Sequence, residues 1–448
     1  MPAKRTRESV IDALVAEYRK QLKASLPDAP QTLDQIEKIA GKLGKGISQE
    51  IEDELSQPPL SSPEPKTACA CGQSARYKGK QPRQIVTLYG VLIVQRAVYY
   101  CSVCHQSFAP HDCVLRLDSG QTTSAVRTHA AYLSALLPFA QAAATLEMLT
   151  QVALSPASVE RIACSVGNAL RAKQQQQVAA HHADGLAEPM EKRVKRLYIG
   201  MDGVFVPLRE EWKRDKSRGN LACRYGECKL GVVYEAKPNQ AGQDAVLTSR
   251  AYTATLENAE AFGPQLATLA HQQGHHQTQD VVVLADGAAW IGQIAGKQFT
   301  RATQIVDFYH ASAHLAQVAE ARFGQNTPEG KAWLSARQAE LLDDGVKAVL
   351  ANLKSWQPSN KSKKELRRTT YNYFAGNAHR MQYKTFRDKG YYIGSGIVEA
   401  GCKQVVTQRM KLAGMHWRQE TAEAILTLRA NQLSSHPADL RTYCAMTH

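Results

Sequence analysis

The chain is short of negative charge. Its 41 Asp and Glu face 55 Lys and Arg, which leaves a formal charge of +14. An excess of this sign favours an anionic partner, nucleic acid above all, because Lys and Arg release counterions from phosphates. A merely soluble basic protein is the plainer alternative. A membrane-spanning run is missing as well. The most apolar helical stretch, Ala130 to Leu149, is interrupted by Pro138, Gln141 and Glu147, and is too broken to cross a bilayer. The opening MPAKRTRESV is basic with no apolar core behind it, so a signal peptide is not expected. Ten cysteines without such a signal read as reduced thiols, and a cluster among them as a metal site rather than disulfides. A hydrophobic fraction of 44% argues against wholesale disorder. At about 100–200 residues per domain, the length suggests two to four domains.

Apolar spacing divides the chain. Val10, Leu14, Tyr18 and Leu22, then Leu33, Ile36, Ile39, Ala40 and Leu43, make two helical stripes in an N-terminal segment, 1–57. Pro58, Pro59, Pro63 and Pro65 end it in a linker, 58–68. In 69–113, Cys69 and Cys71 (CACG) and Cys101 and Cys104 (CSVCH) flank RQIVTLYGVLIVQRAVYY, which reads as two strands turning at Gly90. Two cysteine pairs joined through a hairpin form a zinc-ribbon pattern in which four thiolates complete a tetrahedral site. His105, His111 or Cys113 could each replace a ligand, and four free thiols at a strand hairpin is the alternative.

Region 114–190 reads as a helix-turn-helix. FAQAAATLEML is one helix. Ser155 caps the next, with Pro156 at its first position and Val159, Ile162, Ala163 and Val166 on its buried face. Arg161 then projects outward, where a recognition helix meets DNA; an ordinary helical hairpin fits the same pattern. KQQQQVAAHHADG reads as a helix end and linker. From Lys192 the pattern becomes α/β. RLYIGMDGVFVPL reads as two strands around a turn, CKLGVVYEA and AYTATL as further strands, and DVVVLADG and QIVDFY as short buried strands of a parallel sheet. ENAEAFGPQLATLAHQQG reads as a helix starting at Gly263–Pro264. A charged helical stretch, about 311–389, reads as an insertion, too long for a loop.

Three acids stand out in this second half. Asp202 and Asp286 each end an apolar strand, and Glu399 sits in the first turn of a helix in GSGIVEAGCK. Carboxylates gathered from distant segments can hold two magnesium ions, which activate an attacking oxygen and stabilise the leaving one in phosphodiester chemistry. Asp202 would bridge both ions, and Asp286 and Glu399 would each complete one site. Singly, each has an ordinary reading: Asp-Gly turns for the aspartates, and for Glu399 the helix dipole and its i+4 partner Lys403. Asp307 and His310 of DFYH follow the last strand and are auxiliary candidates. HASAH lacks the Glu of HExxH, which disfavours zinc hydrolysis. Lys403, Arg409, Lys411 and Arg418 would track phosphates, or form a solvated face. Trp417 would stack on a base, or lie in the core.

The combination YIGMDG, LADGAAWI, IVDFYHA and GSGIVEAGCKQVVTQRMKLAGMHW, together with the ribbon, APHD and SPASVERI, resembles bacterial insertion-sequence transposases of the DDE type. It is specifically similar to the Kra-type family and distantly to Mutator-like enzymes. The resemblance implies an RNase H-like catalytic domain at 191–448 with a helical insertion. It also implies a catalytic triad of Asp202, Asp286 and Glu399, and a DxxH signature at Asp307 and His310. The implied activity is magnesium-dependent hydrolysis and strand transfer on double-stranded DNA at the inverted repeats of an insertion sequence. It would be carried out by a homo-oligomer, at least a dimer, in the bacterial cytoplasm at the nucleoid. A non-enzymatic DNA-binding descendant and a simple metal-dependent nuclease are the alternatives. The sequence departs from the pattern at Ala313, where an acid is expected, and at Gly292, where an aromatic is expected.

Overall fold

The computed structural model describes residues 7–25, 32–58, 62–117, 120–183, 195–214, 221–238 and 245–444. Pro59 of the expected linker and Asp184–Gly185 of the polar tract lie outside these residues. The chain divides into two compact units, Met1–Val166 with Asp439–His448, and Gly167–Ala438.

The first unit opens with helices α1 (Arg7–Ser25) and α2 (Leu33–Ser56). Thr32 starts α2 through a capping box: its hydroxyl accepts from the Gln35 N–H, and the Gln35 side chain accepts from the Thr32 N–H. A four-stranded antiparallel sheet follows in the order β1 (Lys66–Ala68), β2 (Ser74–Val86), β3 (Val91–Tyr100) and β4 (Ser107–Phe108). The last three residues of the expected linker therefore belong to a strand, because Lys66–Ala68 pair with Arg76–Ser74. Ile85, Leu92 and Val94 pack with Leu115 and Leu117 at one end of the sheet; Ala75, Tyr77, Tyr99 and Phe108 pack around the cysteines at the other. Then come α3 (Pro110–Val114), α4 (Ser124–Leu136), α5 (Phe139–Thr150) and α6 (Pro156–His182), whose residues from Gly167 onward belong to the second unit. The Ser155 hydroxyl accepts the Ser158 N–H at 3.1 Å and caps α6. This helix continues through KQQQQVAAHH, which the sequence reading ended as a linker. Gln, Lys and Ala are good helix formers, and polarity alone does not stop a helix.

The second unit is built on a five-stranded sheet from β5 (Arg196–Arg214), β6 (Leu221–Pro238), β7 (Ala245–Thr255), β8 (Asp280–Ala285) and β9 (Thr303–Val306). Its order is β7-β6-β5-β8-β9. The first three strands are antiparallel, and β8 and β9 run parallel to β5. RLYIGMDGVFVPL is thus one long strand rather than two. Asp202–Gly203 continues the β5–β6 ladder opposite Leu230 and Lys229 instead of turning. The parallel partner β8 covers only Arg196–Ile199, so Asp202 lies in mid-strand, just past the point where β8 ends.

Side chains alternate across a strand. Leu197, Ile199 and Met201 face a core shared with Val281, Val283 and Ala285 of β8, under helices α7 (Ala259–Gln272) and α8 (Ala289–Gln298). Helix α7 starts earlier than expected, because Asn258 caps it by accepting the Ala261 N–H at 3.0 Å; Pro264 is carried inside the helix. Between β9 and Glu399 the chain is helical: α9 (Phe308–Phe323), α10 (Pro328–Asp343), α11 (Val346–Ser355), α12 (Lys361–Asn377) and α13 (Tyr383–Asp388). Helix α14 (Gly396–Gly401) then passes into a π-helical segment, Cys402–Thr407, followed by α15 (Gln408–Met410) and α16 (Gln419–Leu433). Among the described residues, no helix is long and apolar enough to cross a membrane.

Candidate functional site

Two sites emerge, one in each unit. In the first, β1 ends at one cysteine pair and β3 ends at the other. The Sγ atoms of Cys69, Cys71, Cys101 and Cys104 all lie within 4.8 Å of one another. Cys69 is 3.5 Å from Cys104, and Cys71 is 3.7 Å from Cys101. Those gaps are too long for a disulfide. They match the tetrahedral edge of about 3.8 Å that follows from zinc–sulfur bonds of about 2.3 Å. Backbone N–H groups of Cys104 and Val103 lower the Cys101 thiol to about 6, while crowding by the other thiols holds Cys104 up at about 12, so one thiolate shared among close thiols is the arrangement a cation would complete. The residues therefore fit a structural zinc ion. The alternative ligands are engaged elsewhere or turned outward. His111 Nε2 meets the Ser56 carbonyl at 2.7 Å, His105 Nδ1 meets the Tyr100 hydroxyl at 3.0 Å, and Cys113 is exposed. Asp112 of APHD is a structural clamp that pairs with both Arg83 and Arg96.

The second site lies on the face of the large sheet that carries Tyr198, Gly200 and Asp202. Two glycines let α14 lie close against the strands. A Cβ on Gly200 would come within 2.2 Å of Val398 Cγ2, and one on Gly401 within 2.9 Å of the Tyr252 ring. Asp202 is half-buried. Its Oδ1 accepts the Gly203 N–H at 2.6 Å, and its Oδ2 accepts the Cys402 thiol at 3.3 Å. Burial raises its pKa above the usual range, the nearby Asp286 raises it further, and His310 acts in the opposite sense. Asp286 follows β8 directly and accepts the Ala288 N–H at 3.0 Å on Oδ1. Glu399 is exposed on α14, one turn before Cys402. Burial drives the Cys402 thiol pKa up, and the charges of Asp202 and Glu399 add to it.

Asp202 thus feels the charges of Asp286 and His310, and Cys402 those of Asp202 and Glu399. The three carboxylates are not drawn together as tightly as the thiols; among the described residues, the cysteine set alone meets the 4.8 Å spacing. His310 and His314 lie one turn apart on α9, with ring centroids 5.2 Å apart, and Tyr373 of α12 packs on His314 at 4.1 Å. Tyr373 also closes over the backbone after Asp286, since a Cβ on Gly287 would meet its ring at 2.5 Å. Gly292, where an aromatic was expected, faces Arg380: a Cβ there would be 3.0 Å from the guanidinium.

Asp307 has a definite structural task. It is fully buried. One carboxylate oxygen accepts the His310 N–H at 2.6 Å and caps α9. The other accepts the Ser395 N–H, at the N-terminus of α14. A backbone bond from Phe308 N–H to the Ile393 carbonyl, at 2.8 Å, runs alongside. One side chain therefore ties the starts of two helices together and sets where Glu399 stands.

Two expected DNA contacts are not on the surface. Arg409 is 1% exposed, and burial lowers its pKa to about 10. Its guanidinium lies 4.8 Å over the Trp417 ring. Trp417 is itself buried; its indole N–H donates to the Met410 carbonyl at 2.9 Å, its backbone N–H donates to the Pro207 carbonyl of β5, and its carbonyl accepts the Arg209 N–H of the same strand. Neither can reach a phosphate or a base without unpacking. Lys403, Lys411, Arg418 and Arg161 are exposed, and Arg161 donates to the Ser158 hydroxyl at 3.0 Å. Sequence reasoning missed Cys402, Gly200 and Gly401. Cys402 stands three residues after Glu399, a spacing that shares a helix face; the glycines alternate with the acids by two.

The family model of the uncharacterised protein family UPF0236 matches residues 72–442, and the chain belongs to that family. The match takes in Cys101, Cys104 and all three acids, and begins after Cys69 and Cys71. No curated protein matches the chain. Among solved structures, the Drosophila P element transposase strand transfer complex is similar over 70% of this chain and 80% of that chain, at 10% identity and a TM-score of 0.26. A likeness at that level carries no argument.

Proposed function

We propose that the protein is a DDE transposase of the Kra type, a metal-dependent DNA strand-transfer enzyme with an RNase H-like core in its second unit. One juxtaposition carries the reading. Asp202 lies in β5 just past the end of its parallel partner β8, Asp286 follows β8 directly, and Glu399 stands on α14, one turn from the thiol that holds Asp202. The sheet order, three antiparallel strands followed by two parallel ones, fits the core that the sequence motifs imply. Asp202, Asp286 and Glu399 are oxygen donors of the kind magnesium prefers. Two such ions supply the charge that activates an attacking oxygen and stabilises a leaving one. The chain's own part is to hold the acids. The Gly203 amide and Cys402 thiol fix the Asp202 carboxylate, Asp307 fixes the start of α14, and the helices of 308–388 flank the site through His310, His314 and Tyr373. The partner is double-stranded DNA, both element ends and target, held by at least a dimer, with zinc shaping the ribbon. Incubation with labelled inverted-repeat DNA, a target plasmid and magnesium tests this. Joined products that disappear with Asp286→Asn support strand transfer; cut but never joined DNA identifies a nuclease, and binding without any cleavage identifies a DNA-binding descendant.

A further inference from the structure

The small sheet of the first unit carries a basic patch on the face opposite its cysteines. Alternation puts Ala75, Tyr77 and Tyr99 on the thiol side and Arg76 and Tyr100 on the other. Arg76 is directly opposite both Lys66 of β1 and Tyr100 of β3. Lys78 sits in the irregularity between Tyr77 and Gly79, and its Nζ lies 5.4 Å over the Tyr100 ring, on the Arg76 side. Lys66, Arg76 and Lys78 are exposed, and no ion pair joins any of them to a carboxylate among the described residues. The nearby Asp112 is already held between Arg83 and Arg96. Like charges directly opposite on neighbouring strands cost stability. This rung keeps Lys66 against Arg76 and adds Lys78 at a bulge, a device that re-aims side chains. The excess negative charge of a metal tetrathiolate would lie on the other face. Beside the cations, the Tyr100 hydroxyl bonds to His105, which adds a flat polar rim.

We propose that Lys66, Arg76 and Lys78 form a phosphate-binding patch that grips the backbone of a DNA duplex independently of base sequence. The proposal rests on DNA being the partner, as in the reading above, but not on any catalytic step. Three cations, none of them paired with the exposed Glu64 two residues before Lys66, complement a run of phosphates, whereas base readout would need side chains projecting into a groove.

The test uses the full-length, zinc-loaded protein and a fluorescently labelled duplex of arbitrary sequence, followed by anisotropy across a salt series. The triple variant Lys66→Gln/Arg76→Gln/Lys78→Gln should flatten the slope of log affinity against log salt by about 2 to 3, at ~0.9 per phosphate contact, and weaken binding ~10-fold or more near physiological salt. The charge-keeping variant Lys66→Arg/Arg76→Lys/Lys78→Arg should bind like wild type, which separates lost charge from a damaged ribbon. If wild type binds and the neutral variant keeps its slope, the patch is overturned while DNA binding stands. If wild type does not bind duplex at all, the DNA reading itself fails. Retained duplex binding with lost binding to phosphatidylserine vesicles would overturn the patch in favour of a membrane surface.

Discussion

Replacing Asp307 separates the structural from the chemical content of the second site. In wild type both oxygens of this buried carboxylate are used, one by the His310 N–H and one by the Ser395 N–H. Asp307→Ala removes an N-cap, worth about 1 kcal/mol. It also strands the buried Ser395 N–H, at a cost of about 1–3 kcal/mol. The sum is about 2–4 kcal/mol. Asp307→Ser should keep the cap and lose only the second contact, and so fall roughly midway. Urea unfolding followed by circular dichroism reads both values, provided the m-value is unchanged. The same contact sets the position of Glu399. Metal-dependent cleavage at saturating DNA should therefore fall in the serine variant while DNA affinity holds. An alanine variant within about 0.5 kcal/mol of wild type, inside the range of ordinary surface changes, would refute the clasp. So would a serine variant no more stable than alanine.

Three further outcomes follow from the geometry. Gly200→Ala places a methyl 2.2 Å from Val398, so it should destabilise by about 1–3 kcal/mol through overpacking; unchanged urea stability would mean that α14 does not lie on the sheet there. Cys101→Ser, or zinc chelation, should abolish the protection of β2 and β3 amides in hydrogen exchange, whereas protection that survives metal removal would contradict a ribbon held by metal. His275 is held below the ordinary histidine range, first by burial and then by the charges of His276, His271, His181 and Arg301. Its folded form binds fewer protons than the unfolded chain, so its contribution is complete above the ordinary pKa of about 6.5 and is lost as pH falls through the lowered folded value. Thermal unfolding across that interval should show a shallower loss for His275→Asn, and identical slopes would assign the loss to other groups.

The sequence was most informative where one strong local rule acts. The β-branched run flanked by cysteines is the hairpin β2–β3, and Ser155–Pro156 starts a helix at the expected place. It was less informative where tertiary pairing overrides a local signal. Asp202-Gly203 has the composition of a turn, yet β6 pairs straight past it through Leu230 and Lys229. Gly263–Pro264 has the composition of a helix start, yet Asn258 had already capped α7. Arg409 and Trp417 read as a nucleic-acid face because their residue types are common there; their burial depends on the return of the chain against β5, which no local pattern reports. Asp286 was legible as the residue that ends a strand and Glu399 as one in the first turn of a helix, whereas Asp202 lies in mid-strand, and the thiol and glycines around it depend on register between distant segments.

The central claim is that Asp202 holds metal for DNA strand transfer. The most direct measurement is joining of a labelled element end to target DNA in magnesium, comparing wild type with Asp202→Asn at equal occupancy of the end. The account predicts joined product from wild type and none from the variant, with end binding intact. Joined product from the variant at the wild-type rate would contradict it.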